Sequence, residues 1–156
     1  MRAFVCLMLC LATVSVAAPK APVYTAAGNR AISTASSASN FAYMPILNTL
    51  RDKGSDRLLC FHTAGYHDQL LELFNLIVDR LPEKPAAREK ALVEKIRAAA
   101  WKVKRGALGL ASYCGISNSW PPEWRIIGVR PGDRKSFEKM ATETDRALDA
   151  LNRLIQ

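Results

Sequence analysis

Both histidines of the chain lie close to Cys60, in Cys60-Phe61-His62 and His67-Asp68, and nowhere else does the sequence gather side chains able to hold a metal or attack a carbonyl. The spacing suits neither task. His62 and His67 are five apart, off a common helical face, whereas helix-borne zinc pairs use a four-residue step with a third ligand from elsewhere. A cysteine nucleophile needs a free thiolate, and Cys60 is expected to be oxidised. Asp68 and Glu72 stand one helical turn apart, as like charges often do on a solvated helix. The chain has no G-x-S-x-G, no glycine-rich phosphate loop and no H-E-x-x-H. These residues lead us to expect no enzyme, no metal site and no cofactor.

The remaining chemistry is electrostatic. The 22 Lys and Arg outnumber the 14 Asp and Glu, for a formal net charge of +8, which favours anionic partners. Arg88, Lys90, Lys95, Arg97, Lys102, Lys104 and Arg105 fall in one stretch, opposed only by Glu89 and Glu94. Wound as a helix, the stretch places Arg97, Trp101, Lys104 and the neighbouring Arg105 along one exposed strip, the candidate binding site, with Trp101 as its anchor. The competing interpretation is a solvated face on which Glu89 and Glu94 make spaced ion pairs. No nucleic-acid recognition motif accompanies the charge, so nucleic acid is not an expected partner. Lys102-Val103-Lys104-Arg105 also resembles the basic sites cut by proprotein convertases, but cutting there would split the helix, so an uncut domain is expected. There is no Asn-x-Ser/Thr site for N-glycosylation.

The first residues set the compartment. Arg2, an apolar run from Ala3 to Val16 and small residues at Ser15 and Ala17 match the three regions of a cleavable secretory signal. The run is shorter than the roughly 20 residues a membrane span requires, so residues 1–17 read as a signal peptide and the mature protein as secreted and not membrane-spanning. Cys6 and Cys10 leave with the signal. Cys60 and Cys114 then form an even pair in an oxidising compartment, for which a disulfide is the natural state.

The elements follow from hydrophobic periodicity. Residues 18–39 are rich in Ala, Ser, Thr and Pro and read as a flexible N-terminal arm. Phe41, Met44, Leu47 and Leu50 suggest a first helix from Asn40 to Lys53, with Pro45 in its first turn and Gly54 ending it. A second helix, Ala64 to Leu81, carries Tyr66, Leu70, Leu73, Phe74, Ile77 and Leu81 on one face. A third, from Ala86 to Cys114, has Leu92, Ile96, Ala99, Val103, Ala107 and Leu110 as its seam; Gly106 and Gly109 within it suggest a close approach by a neighbour. Residues 115–131 form a long connection with a short extended candidate at Trp124–Val129. The last helix, capped by Asp133, buries Phe137, Met140, Ala141, Thr144, Ala147, Leu148, Leu151 and Ile155.

Four amphipathic helices with short links after the first two predict an all-α, single-domain four-helix bundle over residues 40–156, with one disulfide and a long loop before the last helix. In architecture the chain resembles a small helical cytokine: helix count, disulfide, secretion and a strand candidate before the last helix carry the resemblance. It departs from that family in the short link after helix one, which implies up-down-up-down order rather than a long crossover. The expected function is that of a secreted, monomeric, non-enzymatic binding protein acting through exposed faces of helices one, three and four, and the resemblance implies that it is a signalling ligand with an extracellular receptor. Two other functions fit the same chain: a cationic host-defence or membrane-active protein, and a carrier of a small apolar ligand within the bundle.

Overall fold

A computed structural model of the chain describes residues 26–116 and 134–155. They form four helices: α1 (Ala26–Arg51), α2 (Asp56–Arg80), α3 (Lys90–Tyr113) and α4 (Arg134–Ile155). The protein is an all-α four-helix bundle. Each helix packs beside its neighbour in sequence, α1 closes the ring against α4 more loosely, and the backbones of the diagonal pairs stay apart. This is the up-down-up-down order that short links impose. The expected signal peptide, the first part of the expected arm, the Trp124–Val129 strand candidate and Asp133 lie outside the described residues.

The largest difference from expectation is α1. It begins at Ala26, so residues 26–39 are helical rather than an arm. Its buried seam is Ile32, Ala35, Ser36, Ser39, Tyr43, Ile46 and Thr49, a 3.6-residue stripe in which small and hydroxylated residues take core positions. Ser39 and Thr49 satisfy their hydroxyls on the carbonyls one turn back, at 2.9 and 2.8 Å. The expected stripe is mostly outside: Phe41, Met44 and Leu47 are exposed and Leu50 half-buried. Pro45 sits deep within the helix rather than in its first turn, leaving the Phe41 carbonyl without its helical donor. At the C-terminus Lys53, not Gly54, takes the left-handed conformation (φ 52°). The Gly54 amide donates to Thr49 O at 2.8 Å, closing the turn as a Schellman motif.

The other helices follow their stripes closely. α2 starts eight residues before expectation because the Ser55 hydroxyl accepts from the Leu58 amide and caps it. Its predicted face, Tyr66 to Leu81, is buried throughout. α3 begins at Lys90 after a turn at Ala86–Glu89, and Val93 and Ala100 replace Leu92 and Ala99 in its buried seam. α4 buries Phe137, Ala141, Thr144, Leu148, Leu151 and Ile155, adds Asn152, and leaves Met140 and Ala147 half-buried.

Three features fix the helices to one another. Cys60 and Cys114 form a disulfide that ties α2 to the end of α3 across 54 residues; on the chain-entropy model such a loop contributes about 4 kcal/mol. Gly106 and Gly109 let α4 approach α3: a Cβ on Gly106 would fall 2.7 Å from Thr144 Cγ2, and one on Gly109 2.6 Å from Met140 Sδ. At the start of α4, Arg134 donates to the carbonyls of Gly54 (2.7 Å) and Thr49 (3.2 Å) and pairs with Asp56 at 3.2 Å. Its cation thus sits at the C-terminal end of α1, the favourable end of that helix for positive charge.

Candidate docking surface

α3 turns its apolar seam inward, which leaves its many cations only the outer arc and the two flanks. On the flank beside α2, Trp101 is 45% exposed and stands edge-on against Phe74, with ring centroids 5.0 Å apart. The Lys104 ammonium lies 4.3 Å from the centre of the Phe74 ring and 4.8 Å from that of Trp101. A cation against two aromatic faces is held by their quadrupoles. Trp101 is therefore a braced, half-exposed ring with a fixed positive charge beside it. Phe74, on α2, is the brace; its place in the α2 stripe marks it only as core, because pairing between helices is not written in either sequence.

Arg97 lies one turn before Trp101, as its spacing predicts, but is not a free charge. It donates to Glu94 Oε1 at 3.2 Å and to Pro82 O at 3.4 Å, so the spaced-pair expectation for Glu94 holds here. Arg105 is exposed and has no ion pair among the described residues. The strip thus contains all four expected residues in two states: Arg97 and Lys104 engaged with the protein, Trp101 and Arg105 offered to solvent.

The histidine and cysteine cluster does not assemble. Cys60 is in the disulfide and has no thiol. His67 is buried, its Nδ1 3.2 Å from Asp68 Oδ1 and its Nε2 enclosed without a partner, while His62 stands edge-on to the Phe61 ring at the half-exposed rim of α2. Among the described residues, no group of three or more His, Cys, Asp or Glu is placed to hold a metal, and no helix is long and apolar enough to cross a membrane. Lys102-Val103-Lys104-Arg105 lies inside α3 with Val103 fully buried, so a protease would have to unwind the helix to reach it.

No family model, curated protein or solved structure matches the chain. Whatever function is assigned rests on the chain's own surfaces.

Two tyrosines next to the core carry the clearest electrostatic effect. Burial pushes the Tyr66 phenol well above its ordinary range, and the Asp145 carboxylate adds to the effect. Tyr43, whose ring centroid is 5.2 Å from that of Tyr66, is raised for the same reasons. Asp145 is itself raised, by burial and then by Asp149.

Proposed function

We propose that the chain is a secreted, non-enzymatic binding protein of the cytokine-like kind, engaging an anionic extracellular protein through Arg97, Trp101, Lys104 and Arg105 on α3. One observation carries this reading: Trp101 is held half-exposed between Phe74 and Lys104. An exposed indole costs free energy in isolation, while a braced indole with a cation fixed beside it has the character of an interface anchor, since Trp is enriched in binding hot spots. Pre-ordering also lowers the entropy lost on binding. The disulfide supports an oxidising compartment. It also disfavours the membrane-active alternative, because a bundle that acts by opening onto a bilayer must part its helices, and α2 and α3 are covalently joined.

The test is affinity capture from extracellular fluid with the oxidised chain lacking residues 1–17 as bait, eluted with rising salt. The proposal expects an acidic protein that leaves early in the gradient, because exposed charges are screened beyond about 10 Å at 0.1 M salt. Capture of anionic vesicles alone would instead favour the membrane-active reading.

A further inference from the structure

On the other flank of α3, away from Trp101, the helix forms with α4 an open groove of about 580 Å³. Its floor is short and apolar: Ala98 and Ala99 from α3, Ala147, Ala150 and Leu154 from α4. Its rim is basic. Lys95 and Lys102 on α3 and Arg146 on α4 are all exposed, and none has an ion pair among the described residues. The one rim carboxylate, Glu143, is already 4.0 Å from Lys139. We propose that this groove seats an acidic amphipathic helix of a protein partner, at a site separate from the Trp101 strip.

The charge layout selects that occupant. Lys95 and Lys102 are seven residues apart, about 10 Å along the helix axis. Because α3 and α4 run antiparallel, Arg146 lies at the Lys102 end and Leu154 at the Lys95 end. Cations therefore flank the apolar floor at both ends. A single-headed lipid presents one anionic group and a bare chain, which would satisfy one end and leave the other cation against hydrocarbon. A helix with acidic residues two turns apart and an apolar stripe between them satisfies both ends. The alanine floor suits it, since short side chains allow helix axes to approach to about 8 Å. The α4 wall from Glu143 to Leu154 is about 16 Å long, room for about three turns. A second copy of this chain is a poor occupant, because the net charge of +8 sets like charge against like.

The probe is a stapled helical peptide of about three turns, with leucines on one face and glutamates flanking them, titrated into the oxidised protein while the methyl resonances of Ala98, Ala147 and Ala150 are followed by NMR. We expect those methyls to shift. Lys95→Glu with Lys102→Glu should weaken binding about tenfold or more, as reversal of complementary rim charges does. Ala150→Trp, which fills the groove from an exposed position, should abolish binding with the helical circular dichroism unchanged. Trp101→Ala with Arg105→Glu should leave the peptide affinity unaltered, which separates this site from the strip. The proposal is overturned if the methyls do not shift, if a lysine version of the peptide binds equally well, or if the charge reversal has no effect. It is equally overturned if phosphatidylserine vesicles shift these methyls and the peptide does not, or if the protein self-associates through the groove.

Discussion

Glycine does opposite work at two positions of this bundle. Gly65 is exposed on α2, with nothing within 4 Å of where a Cβ would stand, so Gly65→Ala should raise stability by about 0.5–1 kcal/mol through helix propensity and a less free unfolded chain. Gly106 faces the Thr144 side chain, whose Cβ and Cγ2 would lie 2.9 and 2.7 Å from the new methyl. Gly106→Ala should lower stability by about 1–3 kcal/mol despite the same gain in propensity, because a packed interface must part. Urea midpoints of the two variants check the pair; a shift in the same direction would mean that α3 and α4 are not in close register at Thr144. The sequence shows Gly106 and Gly109 inside an amphipathic stripe, which is enough to suspect close packing there. It does not show which neighbour approaches. The same limit explains why Trp101 and Lys104 were legible as a strip while Phe74, which holds them, was not.

At the scale of elements, α2, α3 and α4 were readable because each devotes large apolar side chains to its seam. α1 was not, because much of its seam is Ala35, Ser36, Ser39 and Thr49, whose small or hydroxylated side chains suggest an unstructured segment, while Phe41, Met44 and Leu47 are exposed. What stabilises the first half of α1 is therefore partly polar. The Ser36 hydroxyl donates to Asn152 Oδ1 at 2.7 Å, buried between α1 and α4, beside a groove of about 300 Å³ lined by Asn29, Ser33, Ser37 and Asn40. Asn152→Ala should cost about 1–3 kcal/mol, because it strands a buried hydroxyl. Adding Ser36→Ala should recover part of that loss. Hydrogen exchange of the amides of residues 30–40 checks this directly: they should exchange faster in the single variant and more slowly again in the double. Unchanged exchange would mean that α1 does not depend on this contact.

For the molecule as a whole, the buried phenols make an alkaline limit to stability. Tyr66 and Tyr43 hold their protons more tightly in the fold than the ordinary value of 10.0 allows, so above that pH the unfolded chain loses protons that the folded one keeps. Their contribution is present in full below pH 10 and is lost as pH rises beyond it. The midpoint of thermal unfolding should therefore fall between pH 9 and 11 on this account, and Tyr66→Phe should flatten the fall. Because the Tyr66 hydroxyl is buried without a partner, the same variant should lose nothing at neutral pH and gain about 1 kcal/mol. An equally steep fall in Tyr66→Phe would place the alkaline transition elsewhere.

The bundle, its disulfide and its basic α3 were legible from periodicity, cysteine parity and charge; the partner is the part that no intramolecular contact encodes. The central claim is that Trp101 and Arg105 meet that partner from a surface held in place by Phe74, Lys104 and Arg97. Its most direct test is the affinity of the captured extracellular protein for the oxidised chain and for a Trp101→Ala, Arg105→Glu variant, compared at one salt concentration. These two residues are the exposed members of the strip, so helical circular dichroism should be preserved while affinity falls about a hundredfold, in keeping with loss of a tryptophan anchor and reversal of a neighbouring charge. Equal affinity for the two proteins, with the fold intact, would contradict the claim and remove the strip from the binding surface.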